Sequence, residues 1–150
     1  MVRAKKYLGQ HFLKDEEIAK QIVSALTLDS GAVLEIGPGT GVLSKYLFDQ
    51  VNQLFLMDID AESIRFLHAK YPQYSERTIE ADFLKSDLAF LPNQYRIIGN
   101  FPYNISSQIF FRVLEERDHV KEVVCMLQKE VAKRLCSPPG NKQYGILSVL

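Results

Sequence analysis

Three glycines at alternate positions follow a short apolar run that closes on a carboxylate, in Val33-Leu34-Glu35-Ile36-Gly37-Pro38-Gly39-Thr40-Gly41. Glycine is needed where the backbone must take positive φ or let a ligand approach with no Cβ in the way. A helix starting behind such a loop offers unpaired N–H groups. The spacing is Gly-x-Gly-x-Gly and not the Gly-x-Gly-x-x-Gly of the dinucleotide fingerprint. Taken alone it also fits a tight strand-to-helix turn that holds nothing.

Asp58 lies about 20 residues further on, where a nucleotide-binding fold puts an acid at the tip of its second strand; a carboxylate there accepts both hydroxyls of a ribose. The competing role, a turn residue capping the next helix, suits Asp60 better because it stands directly before the helical run. Asp82 and Asn100 close two further apolar runs. Each could be a turn former on its own, but with Glu35 and Asp58 they make four polar ends in succession. After Asn100 comes Phe101-Pro102-Tyr103-Asn104-Ile105-Ser106-Ser107. Pro102 fixes its own φ and keeps Phe101 out of the helical region. The result is a stiff loop offering an amide, free carbonyls and the Tyr103 ring, which suits a planar base that is both gripped and stacked. A proline turn with a buried Tyr is the plainer alternative.

The elements that must position these residues read as alternating strands and helices. Asp15 caps a helix whose buried stripe is Ile18, Ile22, Val23 and Leu26. Strands are expected at 32–36, 53–57, 77–81, 95–99 and 122–127. A helix carrying Val42, Leu43, Tyr46 and Leu47 follows the glycine loop, and a second spans 61–69. Ser106 or Ser107 is expected to cap a helix bearing Ile109, Phe110, Val113 and Leu114. Residues 128–135 read as a short basic helix and 137–143 as a loop. The pattern argues for an α/β fold, a mostly parallel sheet with helices on both faces, whose ligands gather at the strand carboxyl ends.

At 150 residues the chain fits one domain, able to bury about 70% of its unfolded surface. Lys plus Arg (18) cancels Asp plus Glu (18), so an acidic partner such as nucleic acid must be met by a local patch. Arg3, Lys5, Lys6 and Lys14 are one such run, equally readable as a solvated tail. Cys125 and Cys136 form no framework, which points to a reducing cytoplasm. His11, His68 and His119 have no ligand spacing, so no metal is expected. No apolar run is long enough for a spanning helix. The chain stops at Leu150 inside the run Ile146 to Leu150, which reads as a cut within the fold.

Taken together, Leu-Gly-Gln-His-Phe-Leu (8–13), Glu-Ile-Gly-Pro-Gly-Thr-Gly (35–41), Asn-Phe-Pro-Tyr-Asn-Ile-Ser-Ser (100–107), Leu-Gln-Lys-Glu-Val-Ala-Lys-Arg-Leu (127–135) and Lys-Gln-Tyr-Gly-Ile-Leu-Ser-Val (142–149) resemble the ribosomal RNA adenine dimethyltransferases of the kasugamycin-sensitivity type. The resemblance covers essentially the whole chain. It implies a Rossmann-like class I S-adenosylmethionine-dependent methyltransferase fold, with residues 1–150 as an incomplete catalytic domain that lacks its last strands and a helical RNA-binding domain. The implied activity is transfer of methyl groups from S-adenosylmethionine to N6 of two adjacent adenosines near the 3′ end of 16S small-subunit rRNA during ribosome biogenesis. The implied partner is the immature small subunit, met by a monomer in the cytoplasm.

By the family pattern His11 and Leu13 line the cofactor, so that residues 8–13, which spacing alone reads as a plug at the core edge, become a cofactor cover. Gly37 supports the methionine end, Asp58 takes the ribose and Asp82 the adenine. Asn100 stands between cofactor and target, with Phe101, Pro102 and Tyr103 completing the catalytic loop. His11 replaces the more usual Asn, Asp58 the more usual Glu and Phe101 the more usual Leu. The second change shortens reach by one methylene. Little activity on ribosomal particles is expected from these residues alone. Three rivals stand beside this reading: a large-subunit rRNA dimethylase of the antibiotic-resistance type, a nicotinamide dehydrogenase, and a non-catalytic ribosome assembly factor on the same fold.

Overall fold

The computed structural model describes residues 15–29, 31–101, 105–128 and 144–149. The glycine loop and the polar strand ends sit on one sheet in the order β3-β2-β1-β4-β5-β6. Its strands are β1 Ala32–Ile36, β2 Gln53–Asp58, β3 Thr78–Glu80, β4 Tyr95–Asn100, β5 Val120–Gln128 and β6 Tyr144–Val149. Strands β1 to β5 are parallel, and β6 returns antiparallel to β5. The helices are α1 Glu16–Ser24, α2 Ser44–Leu47, α3 Ala61–Lys70 and α4 Ser106–Glu115, with a 3-10 turn at Pro72–Arg77.

Side chains that alternate along a strand point to opposite faces, and here each face meets its own apolar layer. Leu34, Ile36, Met57, Ile97, Val123 and Cys125 join Ile109 of α4 and Phe83, Leu88 and Leu91 of the β3–β4 connection. Val33, Leu54, Leu56, Ile98 and Val124 join Ala19, Ile22 and Val23 of α1, Leu47 of α2 and Leu67 of α3. Strands buried on both sides show as nearly continuous apolar runs, which is why β1, β2, β4 and β5 lie within one or two residues of the expected spans. β3 is shorter than expected, three residues instead of five.

Asp15 caps α1, its carboxylate accepting from the N–H groups of Glu17 at 2.9 Å and Ile18 at 3.3 Å, a contribution of about 1 kcal/mol. Two helix expectations need correction. Regular helix after the glycine loop starts only at Ser44, because Gly41 at φ +90° cannot enter a right-handed helix and residues 41–43 form turns. The stripe survives: Leu43 and Leu47 are buried. At α4 neither serine caps; Ile105 occupies the capping position with no side-chain bond, and Ser106 is a buried residue of the first turn.

The amino-terminal end of the sheet is tied by a buried ionic network. Arg96 of β4 donates from Nε to Glu122 of β5 at 3.0 Å and from Nη1 to Asp29 at 2.8 Å. Glu122 in turn accepts from the Thr27 N–H at 2.9 Å and its hydroxyl at 3.0 Å. The segment joining α1 to β1 is thereby fixed to the two strands beneath α1. At α2, Glu16 accepts from the Tyr46 hydroxyl at 2.6 Å and pairs with Lys45. The expected basic helix at 128–135 and the loop at 137–143 lie outside the described residues, apart from Gln128, which ends β5.

Candidate functional site

The chain steps from β1 out to β2 and β3, then returns across the sheet to β4 and β5. The carboxyl ends of β1 and β4 therefore flank the point where strand order reverses, the crevice in which open α/β sheets bind ligands. The glycine loop rises from β1 at this point. Gly37, Gly39 and Gly41 have φ of +70°, +58° and +90°, and only glycine adopts such values without strain. They differ in what surrounds them. A Cβ at Gly41 would lie 3.3 Å from both Leu67 and Tyr71, so this glycine seats the loop on α3. Among the described residues, a Cβ at Gly37 would meet nothing within 4 Å, and their packing leaves open space over Gly37.

The loop is braced from the neighbouring strand. The Gly37 N–H donates to the Met57 carbonyl at 2.8 Å. Asp58, the last residue of β2, is 4% exposed; its Oδ2 accepts from the Gly39 N–H at 3.0 Å and its Oδ1 from the Asp60 N–H at 2.9 Å. Burial raises the Asp58 carboxyl above its ordinary value; the backbone N–H groups of Asp60, Gly39 and Ile59 oppose this, and the nearby Asp60 charge adds to it. Asp60 stands at the capping position of α3, as expected, but its side chain makes no capping bond to the helix backbone and accepts from the Ser63 hydroxyl at 2.8 Å. Between the two acids, Ile59 stands 48% exposed, an apolar side chain at the strand tip that sequence reasoning passed over.

Glu35 shares the face that carries Asp58. It is 1% exposed and accepts from the Ser44 hydroxyl at 2.5 Å. Burial pushes its carboxyl up to about 8; the Ser44 bond works against this and the nearby Asp58 charge adds to it. Its place at the strand end was legible, whereas the upward shift of its carboxyl depends on packing.

Asp82 follows β3 at the start of a turn. Its Oδ1 accepts from the Leu84 N–H at 2.9 Å, and its carbonyl accepts from the N–H groups of Lys85 and Ser86. Asn100 is the last residue of β4, opposite Met126 of β5. The Phe101 ring is 1% exposed and packs edge-on to Phe110 at 6.0 Å between ring centres. Its side chain thus belongs to the core. Gly99 was not singled out from sequence, yet a Cβ there would lie 2.5 Å from the Ile36 carbonyl oxygen and 2.8 Å from the Phe101 ring. Only glycine lets β1 and β4 approach this closely beside the crevice. His11, Leu13, Pro102 and Tyr103 lie outside the described residues.

The sheet thus brings Gly37, Asp58, Asp82 and Asn100 to one edge, spread over four adjacent strand ends. Among the described residues no group of three or more His, Cys, Asp or Glu could hold a metal ion, and no helix is long and apolar enough to cross a membrane. His68 Nε2 lies 3.0 Å from the Thr78 carbonyl and His119 Nδ1 lies 2.8 Å from that of Asn93, both in local bracing.

Comparison with known proteins agrees with this architecture. The ribosomal RNA adenine dimethylase family model matches residues 1–150. The chain is 55% identical to ribosomal RNA small subunit methyltransferase A of Flavobacterium johnsoniae over 99% of its length and 58% of that protein's. The protein of the same name from Cytophaga hutchinsonii is 54% identical, over 99% and 59%. The chain therefore spans a little over half the length of these relatives. Among solved structures, a dimethyladenosine transferase from Plasmodium falciparum superposes with TM-score 0.71 at 32% identity, over 85% of this chain and 47% of that one. The 23S rRNA methyltransferase ErmE gives 0.76 at 24% identity, over 92% and 68%, a likeness of fold alone. The fold is that of the class I S-adenosylmethionine-dependent methyltransferases, and the chain belongs to the ribosomal RNA adenine dimethylase family.

Proposed function

We propose that these residues form the cofactor-binding and catalytic domain of an rRNA adenine-N6 dimethyltransferase. It uses S-adenosylmethionine to methylate two adjacent adenosines near the 3′ end of small-subunit rRNA. The observation that carries this reading is the gathering of the glycine loop, Asp58, Asp82 and Asn100 at strand ends on both sides of the β1/β4 switch point. Membership of the family supports the choice of RNA, and the immature small subunit in the cytoplasm is the corresponding partner.

The residues present fit the cofactor. Open space over Gly37 leaves room for the methionine end. Both Asp58 oxygens accept backbone N–H groups, and their remaining lone pairs would be turned to the ribose hydroxyls. Exposed Ile59 offers an apolar face, and Asp82 an acceptor, to the adenine ring. His11 and Leu13 would cover it from the amino-terminal segment. When bound, S-adenosylmethionine supplies an electrophilic methyl group on a sulfonium.

The chain's own task is to prepare the nucleophile. The exocyclic adenine amine is weak because its lone pair is delocalised into the ring. Acceptors aimed at its N–H bonds, Asn100 Oδ1 and a carbonyl of the Phe101–Pro102 segment, would pyramidalise it and free that pair. Tyr103 would stack on the extruded base. The methylated amine sheds its proton readily, so positioning and fixed dipoles carry the rate and no strong base is needed.

Calorimetric titration of the 150-residue chain with S-adenosylmethionine tests the reading. Saturable one-to-one binding that weakens about tenfold or more in Asp58→Ala is expected, from loss of hydrogen bonds to a charged acceptor. No binding by the folded chain would overturn the cofactor assignment.

A further inference from the structure

The turn that carries Asp82 is gripped from across the protein. Arg112, on the second turn of α4, donates from Nη1 to the carbonyls of Phe83 at 3.3 Å and Leu84 at 3.2 Å, and from Nη2 to that of Ser86 at 2.8 Å. Its guanidinium carbon lies 5.8 Å from the centre of the buried Phe83 ring, and Glu116 holds Nη2 from the other side at 3.3 Å. The same turn aims Asp82: the Leu84 N–H donates to Asp82 Oδ1 at 2.9 Å, while the Asp82 carbonyl receives Lys85 and Ser86. Helix α4 begins at Ser106, directly after the 100–105 segment. One side chain therefore joins the turn that presents Asp82 to the helix that follows Asn100.

We propose that Arg112 is a positioning residue. It fixes the Asp82 carboxylate through the 82–86 turn and holds that wall of the crevice at a set distance from α4. The ligand consequence rests on the reading of the crevice as a cofactor site; the mechanical one does not. The planar guanidinium spreads its donors over two nitrogens that reach different carbonyls at once, whereas a lysine ammonium presents its three donors from one compact point on a flexible stem. Charge alone is thus insufficient for the role.

The test combines amide hydrogen exchange of Leu84, Lys85 and Ser86 in the ligand-free chain with S-adenosylmethionine titration, each well below the unfolding temperature. Arg112→Gln is expected to speed exchange at those amides and to weaken binding about tenfold, as loss of an oriented charged acceptor would. Arg112→Lys should behave like Arg112→Gln, and the double variant with Asp82→Ala should bind no more weakly than Asp82→Ala alone, because both act through one carboxylate. Unchanged amide exchange, full rescue by lysine, or penalties that simply add would each overturn the proposal. If the wild-type chain bound no S-adenosylmethionine, the functional reading would fall, while the exchange rates would still decide whether Arg112 holds the turn.

Discussion

Glu35 shows how a residue chosen for its type acts through its surroundings. In the unfolded chain its carboxyl ionises at the ordinary value of 4.5, whereas in the fold burial raises it to about 8. Between these values the folded state holds a proton that the unfolded state has released, so this residue's contribution to stability falls as pH rises from 4.5 to 8. The full gap corresponds to at most about 5 kcal/mol. Glu35→Gln retains an acceptor for the Ser44 hydroxyl and removes the titration. The variant is expected to lose less stability than wild type between pH 5 and pH 8, by a few kcal/mol, in urea unfolding. Parallel pH profiles for the two proteins would show that Glu35 is ionised in the fold. Asp58 is shifted in the same direction by burial, against the backbone N–H groups of Asp60, Gly39 and Ile59, which stabilise its charge.

At the scale of elements, the two ends of the sheet have separate duties. The Arg96–Glu122 pair and its link to Thr27 lie at the amino-terminal end, remote from the glycine loop. Removing one partner strands a buried charge, so Arg96→Met is expected to cost on the order of 3 to 5 kcal/mol in denaturant unfolding. Cofactor affinity of the folded fraction should stay within about twofold of wild type. Gly99→Ala should do the reverse in kind. With the Ile36 carbonyl 2.5 Å from the new Cβ, β1 and β4 must part at the crevice itself. About 1 to 3 kcal/mol of stability should be lost through overpacking, and affinity should drop more than in Arg96→Met. Equal affinities in the two variants would refute this division. The elements were largely legible because their signals are local: apolar runs for strands buried on both faces, alternate glycines for the loop, Asp15 for a cap. The network was not. Arg96 and Glu122 sit inside runs that read as apolar, and Arg112 meets its carbonyls 26 to 29 residues away. Such contacts leave no spacing for a sequence pattern to reveal. The serines of α4 misled because a good capping residue type was present one position too late.

For the whole molecule, the crevice sits between two halves built in opposite directions from β1, with Asp58 and Asp82 on the β2–β3 side and Asn100 on the β4 side. A ligand touching both halves binds only the folded chain, so it must raise stability by mass action. At 100 times its dissociation constant the gain is about 2.7 kcal/mol, which for a chain of this size corresponds to a rise in unfolding midpoint of roughly 5 to 10 °C. S-adenosylmethionine is expected to give this shift in a thermal unfolding series. Asp58→Ala should need a proportionally higher concentration for the same rise. A nicotinamide dinucleotide serves as the contrast, because the Gly-x-Gly-x-Gly loop departs from the dinucleotide fingerprint in the spacing of its third glycine. It should leave the midpoint unchanged. A concentration-dependent shift with the dinucleotide and none with S-adenosylmethionine would transfer the crevice to hydride chemistry, and would mean that the third glycine serves only to seat the loop against Leu67 and Tyr71.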